Sequence, residues 1–405
     1  DEAPIGLCVD RLGVHFDGSQ PSGLETLLRS NPLDDTVLLD RARRCIEQLA
    51  YWHLGKYSAT DPNLAVPDPA YVVVIDQTRG DAALGGAGRA DFHEMLVFAA
   101  EEHPGLPILI KTHPETVGGA REGHFDGDLP VDRAQLVTDA VSPWALFEHA
   151  AAVYTHSSTL GFEAIFAGHK PRVFGAPFYA GWGRTQDQTP IPRRDRTLSR
   201  AQLFAGAMIL YPTWYDPIAD RLCDVEDVIA CLSARARAWR EDRQGYAITG
   251  PRRWKRPFLK RAFGREGPLT FGRARKSQKA VVWGMEDAAE NALRMEDGFI
   301  RSAGLGAELT PPVSLVLDAH GLYLDPSRPN DLDHLVAASP NLPLAEIHRS
   351  ERLIALLKRE NLTNFIQSRQ VPLQKPNRHT ILVPGQGEVD KSVLFGAHTV
   401  RTNLE

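Results

Sequence analysis

An apolar run, PILIKTHPE at residues 107–115, ends in Lys111, His113 and Pro114. A second, AAVYTHSSTLGFEAIFAGHKP at 151–171, gives a strand AAVYT, then His156, Ser157 and Ser158, then a helix from about Thr159 that carries Glu163. A third short run opens PRVFGAPFYAGWGRTQD at 171–187, with Gly175, Gly181 and Gly183. In open α/β sheets the loops at the carboxyl ends of strands build the ligand site. A lysine and a histidine at one such end, one residue apart, point the same way. Two hydroxyls with free backbone N–H groups at a helix start make an anion site. Glu163, about one turn in, can accept hydrogen bonds from a ribose, and the glycines allow close approach of a ligand. Each signal also has an ordinary reading: a surface lysine, a turn-forming His-Pro, a Ser helix cap. In this order, on successive strands, they describe a pocket for a nucleotide phosphate.

The elements that must position these residues are repeated along the chain. APIGLCVDRLGVHFDGSQPSGLETL at 3–27 returns as PPVSLVLDAHGLYLDPSRPNDLDHL at 311–335, pairing Asp10 with Asp318, Gly13 with Gly321 and Asp17 with Asp325. Both copies continue into a helical pattern, LLDRARRCIEQL at 38–49 and HRSERLIALLKRENL at 348–362. Both then enter a β-rich run, YVVVIDQTRGDAAL at 71–84 and HTILVPGQGEVDKSVL at 379–394, where Gln77 aligns with Gln386 and Asp81 with Asp390. Strand, turn, helix, strand is the alternation of α/β folds with parallel sheets. An additional strand, KAVVWGM at 279–285, precedes the second copy, and the chain has no initiator methionine. It reads as a piece of something longer, the back of one unit and the front of the next. The expected divisions are 1–70, the remainder of a first lobe; 71–250, a nucleotide lobe; 251–278, a basic linker; 279–380, the first lobe of a second unit; and 381–405, the start of its nucleotide lobe.

Bulk composition limits the function classes. At roughly 150 residues per domain, 405 residues allow two or three domains. An apolar fraction of 43% and a charged fraction of 24% are those of an ordinary globular protein. A net charge of −5 gives no global attraction to nucleic acid, so no nucleic-acid partner is expected. Cys8, Cys45, Cys223 and Cys231 form no CxxC pair, which argues against a disulfide scaffold and a zinc knuckle and fits a reducing compartment. No DxD motif stands out, so no metal is implied. One local exception to the charge balance is residues 252–279, with eleven Lys/Arg against Glu266 alone and Trp254, Phe258, Phe263 and Phe271 interleaved. A solvated linker is one reading; a basic, aromatic surface settling on an anionic membrane is the other.

KTHPE, HSSTLGFEA, FGAPFYAGWG, MEDGFIRSAGLG and PPVSLVLD closely resemble the KpsC-type capsule polysaccharide transferases, which add β-linked Kdo and are built from two tandem units. The resemblance covers nearly the entire chain. It implies a GT-B-like fold, with Rossmann-like doubly wound parallel sheets in each unit. It implies CMP-β-Kdo as donor, a phosphatidylglycerol-type lipid acceptor, no cofactor, and a cytoplasmic enzyme at the inner-membrane face. Retention by two inversions needs a carboxylate nucleophile, and the family pattern puts it on Asp81 and, in the second copy, Asp390. Gln77 and Gln386 would orient the sugar, and Lys111, His113, Ser157 and Ser158 would stabilise the departing CMP phosphate. Glu296 and Asp297 would act as general base or position the acceptor, with Arg301 near the acid group of Kdo or lipid. Asp81 also reads simply as a turn residue after Gly80, and Glu296-Asp297 as an acidic strand end. Glu115 stands where the family usually shows Asp. The Glu-Asp-Gly segment of the first unit and the His-Pro and Ser-Ser elements of the second are absent from the sequence. A transferase for another CMP-sugar of the sialic-acid type, or a non-catalytic scaffold binding nucleotide or glycolipid, remains open on the residues alone.

Overall fold

The structure, a computed structural model, describes residues 4–363 other than 69, 128, 276, 287–290, 303 and 305–307, and beyond them residues 379, 381, 385, 387, 390–396 and 402. The chain divides into two compact units, Asp1–Arg240 and Glu241–Glu405.

The first unit contains β1 (Gly6–Leu7), β2 (Tyr71–Ile75), β3 (Ile108–Lys111), β4 (Ala134–Val137), β5 (Ala150–Thr155), β6 (Arg172–Val173), β7 (Gln186–Asp187), β8 (Thr213–Asp216) and β9 (Arg221–Cys223). Six of them form a parallel sheet in the order β4-β3-β2-β5-β6-β7. Its central strand, YVVVI, is buried along its whole length, as a β-branched run covered on both faces should be. Alternate residues serve opposite faces: Val72 and Val74 pack with Phe92, Met95 and Leu96, while Tyr71, Val73 and Ile75 pack with Leu146 and Phe147. The chain steps outward from β2 to β3 and β4, then crosses back to lay β5 on the other side of β2. The seam between β2 and β5 is therefore the topological switch point of the sheet.

A third core joins the amino-terminal helices to the elements that follow β5. Leu24 and Leu28 of helix Gly23–Ser30 and Cys45 of helix Thr36–Tyr51 are buried with Phe162 and Ile165 of helix Thr159–Phe166, with Trp182, and with Phe204. Ser22 and Asp35 cap the first two helices with side-chain bonds to backbone N–H groups. Residues 1–70, expected as a separate lobe, thus share a core with residues 160–236, and the long sequence separation hid that contact. Glu25 ties the arrangement with buried ion pairs to Arg193 (2.6 Å) and Arg194 (2.8 Å).

The second unit holds β10 (Tyr246–Thr249), β11 (Leu269–Phe271), β12 (Lys279–Trp283), β13 (Leu293–Asp297) and β14 (Leu315–Asp318), in the order β11-β10-β12-β13-β14, with only β13 and β14 antiparallel. Residues 251–278 are accordingly no linker. They form helix Arg256–Phe263 and strand β11, and Leu259, Phe258, Phe263 and Phe271 pack against Tyr246, Ile248, Val281 and Met295. The interleaved aromatics face inward because the segment is amphipathic; Arg252, Arg253, Arg256, Lys260 and Arg261 are left exposed. Likewise β10 belongs to this sheet and not to the first unit, so the boundary lies near residue 240 rather than 250.

The repeat is visible in hydrogen bonds. Asp10 accepts from the N–H groups of Leu12, Gly13 and Gly23, and Asp318 accepts from those of His320, Gly321 and Asp331. Asp17 binds Ser19 as Asp325 binds Ser327, and Ser22 caps one following helix as Asn330 caps the other. All these partners are 308 positions apart in the chain. The helix expected at 348–362 spans Leu344–Arg359. Within 379–394, expected as β-rich, the described residues include helix Lys391–Gly396, and Gln386 lies outside the described residues. Among the described residues no helix is long and apolar enough to cross a membrane.

Candidate nucleotide-phosphate site

Three neighbouring strands deliver the expected residues to one edge of the first unit's sheet. β2 runs into Asp76, Gln77 and Thr78, β3 into Thr112 and His113 after Lys111, and β5 into His156, Ser157 and Ser158; of these, Asp76, Gln77, Thr78, Lys111, Thr112, His156 and Ser157 are buried. Gln77 and Ser157 meet across the seam, where Gln77 Oε1 accepts from the Ser157 N–H at 3.4 Å. The Ser157 hydroxyl lies 2.6 Å from His156 Nδ1. Ser158 is the cap of helix Thr159–Phe166, accepting from the Leu160 N–H, and its carbonyl accepts from the buried Tyr179 hydroxyl at 2.6 Å. Gly161 is what lets that tyrosine reach the helix start, since a Cβ there would run into the Tyr179 hydroxyl.

Lys111 Nζ donates to the Asp139 carbonyl at 2.9 Å, and burial lowers its pKa to about 8, opposed by the nearby Asp139. His113 caps the short helix Pro114–Val117 through Nδ1, which accepts from the Glu115 N–H, and packs edge-on against Tyr57. The two side chains, expected to point together, thus have different immediate partners. Burial lowers the His113 pKa, with the charges of Glu115, Lys56, Asp76 and Asp81 also felt there. Asp81 is thus within electrostatic range of His113.

Asp81 is the cap of the 3-10 turn Ala82–Leu84, its Oδ1 accepting from the Ala83 N–H at 2.9 Å. The turn reading therefore holds as geometry, and the same geometry recurs. Asp390 Oδ1 accepts from the Ser392 N–H at 2.9 Å, Asp81 N–H bonds to the Thr78 carbonyl as Asp390 N–H bonds to that of Gly387, and the Leu84 and Val393 N–H groups bond to the respective aspartate carbonyls. Both aspartates are held alike, in a fixed orientation at the start of a helical turn.

Several supports were missed by sequence reasoning. Asp76 Oδ1 accepts from the N–H groups of Gln77 (2.8 Å) and His124 (3.1 Å), and His124 Nδ1 lies 2.7 Å from the Gln77 carbonyl. Phe92 stacks on His124 at 3.8 Å and on His156 at 5.6 Å, so His124, Phe92 and His156 form a buried pile behind Gln77 and Ser157. Asp76 was legible only as the residue between an apolar strand and Gln77; His124 sits in a loop without periodicity. Lys56 and Tyr57 enter from the loop after helix Thr36–Tyr51. Glu163 Oε1 accepts the Lys56 N–H at 2.8 Å rather than facing open space, and burial raises its pKa to about 7.

The glycines expected to admit a ligand mostly admit the chain itself. A Cβ on Gly175 would come within 2.8 Å of His156 and Ser157 Oγ; Gly181 (φ +83°) and Gly183 (φ +74°) take left-handed conformations against Arg194 and Thr197.

In the second unit, Asp297 is clamped between Lys255 (3.2 Å) and Arg301 (2.7 Å), with Lys255 also over the Trp283 ring at 3.6 Å. Arg301 is buried and spends its remaining donors on Ser302 and on the carbonyls of Gly304 and Thr310. Asp297 is thus ion-paired on both sides, and Arg301 bonds to Asp297, Ser302 and two carbonyls. Gly298 permits the close approach of Ser314. Glu296 Oε1 accepts from the Asp297 N–H. Burial, then the charges of Glu296, Asp297 and Asp390, push the Tyr323 phenol up to about 12, so the two acidic motifs share its surroundings. Among the described residues, Asp318, His320 and Asp331 bring three ligand-type atoms within 4.8 Å, but both carboxylates are already occupied by backbone N–H groups.

The sequence profile of the family described as "Capsule polysaccharide biosynthesis protein" matches residues 34–214 and 269–372. The chain is 30% identical to the "Capsule polysaccharide modification protein LipA" of Neisseria meningitidis serogroup B over 99% of its own length and 62% of that protein's. It is 35% identical to the "Lipopolysaccharide-processing protein LpsZ" of Rhizobium meliloti over 57% of this chain and 54% of that protein. The chain thus spans under two thirds of the length of these curated relatives. Among solved structures, "Thermosulfurimonas dismutans KpsC, beta Kdo 2,4 transferase" superposes with a TM-score of 0.54 at 34% identity, over 57% of this chain and 73% of that one. The α/β, GT-B-like fold class expected from the sequence is the one found. With a profile match over both units and this likeness in fold, the chain belongs to the capsule polysaccharide biosynthesis protein family.

Proposed function

We propose that the protein is a glycosyltransferase that moves Kdo from CMP-β-Kdo with retention of the β configuration, building the β-Kdo linker on a phosphatidylglycerol-type lipid anchor of capsular polysaccharide. The observation that carries this reading is the β2/β5 seam, where Gln77 and Ser157 touch beside a capped helix start and Asp81 stands within electrostatic reach of His113. The likeness to the Thermosulfurimonas dismutans β-Kdo 2,4 transferase supports it.

In this reading the helix start at Ser158 and the Lys111 ammonium receive the CMP phosphate. Asp81 attacks the anomeric carbon of Kdo. The electron pair of the broken carbon–oxygen bond leaves with CMP, and a glycosyl ester forms on the aspartate. An acceptor hydroxyl then displaces the aspartate from the opposite side, and two inversions give net retention. The fixed turn at Asp81 contributes orientation, because its carboxylate is held by the Ala83 N–H before substrate arrives. In the second unit Asp390 takes the same part, and Glu296 is the residue proposed to receive the acceptor's proton, with Asp297 positioning it. The exposed cations of 252–261 suit contact with anionic lipid at the membrane face that presents the acceptor.

Calorimetric titration with CMP tests the nucleotide site. Wild-type protein binds CMP, and Lys111→Met and Ser157→Ala each weaken binding about tenfold or more, the range for loss of one hydrogen bond to a charged group. Equal CMP affinity in all three proteins would remove the phosphate site from the seam.

A further inference from the structure

Beside the Asp81 turn lies an open cleft of about 310 Å³, lined by Arg79, Gly80, Ala87, Gly88, Arg89 and His124. That is the low end of ligand-pocket size and room for a monosaccharide. We infer that this cleft is a subsite for the hydroxyl groups of a sugar, recognised from its floor by the free Nε2 lone pair of His124.

The tautomer follows from one bond. His124 Nδ1 lies 2.7 Å from the Gln77 carbonyl, and a carbonyl oxygen can only accept, so the proton is on Nδ1. In the Nδ1–H tautomer Nε2 is the acceptor, and among the described residues that nitrogen has no partner although the residue is only 1% exposed; the Asp76 carboxylate lies 3.6 Å from Nδ1 on the other side of the ring. The ring is stacked on Phe92, and the Asp76 carboxylate holds the His124 backbone N–H. Both arginines that line the cleft are ion-paired. Arg79 is paired with Glu122 and Asp126, and Arg89 with Asp126. A cleft with compensated charge at its rim and a fixed acceptor on its floor selects hydroxyl donors rather than a second anion. Its position, with Gly80 as a wall and Asp81 next in sequence, suits the polyol part of a sugar whose anomeric carbon faces Asp81. The inference rests on the transferase reading for the identity of that sugar.

The test uses the full chain with ¹⁵N-labelled histidine. The wild-type spectrum should show His124 as the neutral Nδ1–H tautomer. Free Kdo should shift its Nε2 resonance, and pyruvate, which carries the keto-acid end without the polyol, should not. Gly88→Leu, at a lining position where a Cβ meets nothing within 4 Å, should weaken the Kdo response at least tenfold and leave CMP affinity unchanged. An Nε2–H tautomer, no response to Kdo, or an equal response to pyruvate overturns the subsite. CMP binding judges the transferase reading separately: CMP bound with His124 silent rejects the subsite alone, and no CMP binding rejects the transferase while the Kdo response still decides the cleft.

Discussion

Gln77 Oε1 accepts a hydrogen bond from the Ser157 N–H across the point where β2 and β5 part. The bond is long at 3.4 Å, and it joins a residue placed by one strand to the helix start placed by another. Removing its acceptor in Gln77→Ala leaves a buried N–H unsatisfied, worth about 1–3 kcal/mol. The expected result is a fall in Tm together with weaker CMP binding. A variant with lower Tm and undiminished CMP affinity would make Gln77 a purely structural residue.

Gly175→Ala tests the crowding behind Ser157. A Cβ would press on His156 and Ser157 Oγ at 2.8 Å, too close for real side-chain contacts, and His156 is held by the Phe92 stack. Ser157 must therefore move. CMP affinity should fall at least as far as in Ser157→Ala; unaltered affinity would show that the hydroxyl's placement is immaterial.

Glu163 gives the seam a pH dependence. Burial raises its pKa from 4.5 to about 7, so the native state holds this proton more tightly than the unfolded chain does. Stability from this group is full below about pH 4.5, falls as pH rises towards 7, and changes no further above it. Glu163→Gln keeps an acceptor for the Lys56 N–H and mimics the protonated form. It should raise Tm by a few degrees at pH 8 and leave it unchanged at pH 4.5. An equal change at both values would mean the carboxyl is not destabilised by burial.

In the second unit, Asp297→Ala leaves Lys255 and Arg301 buried without their shared carboxylate, a loss of about 3–5 kcal/mol by analogy with other broken buried pairs. The corresponding denaturation midpoint should drop sharply, whereas an exposed acid would be neutral on substitution. Unchanged stability would show that the doubly paired carboxylate contributes nothing net to the fold.

The exposed cations of 252–261 predict association with anionic vesicles. At about 1 kcal/mol per cation near the surface, replacing Arg256, Lys260 and Arg261 with glutamine should weaken binding to phosphatidylglycerol vesicles about a hundredfold. Phosphatidylcholine vesicles serve as the uncharged control. Wild-type protein that ignores phosphatidylglycerol vesicles ends this reading.

Much of the site was legible because it sits where sequence patterns are strongest. YVVVI and PILIK announce buried parallel strands, and the candidate site residues follow at their carboxyl ends. The Asp81 and Asp390 turns were found by repetition, and their matching hydrogen bonds bear out the alignment. What stayed hidden depends on contacts between distant segments. The His124–Phe92–His156 pile has no periodic signature, and Glu25 meets Arg193 and Arg194 across 168 and 169 residues. The basic segment misled for a different reason: its cations dominate composition, but Leu259 and the phenylalanines decide where it folds. The partners of Arg301, namely Asp297, Ser302 and the Thr310 carbonyl, were likewise not legible from its place beside an acidic motif.

The central claim is that Asp81 forms a bond to the transferred sugar. Intact mass spectrometry after exposure to CMP-Kdo, followed by peptide mapping, addresses it directly. The account predicts one Kdo attached at Asp81 in the wild-type protein and none in Asp81→Asn. Continued release of CMP by Asp81→Asn at the wild-type rate, with Asp81 unmodified in the parent protein, would contradict it.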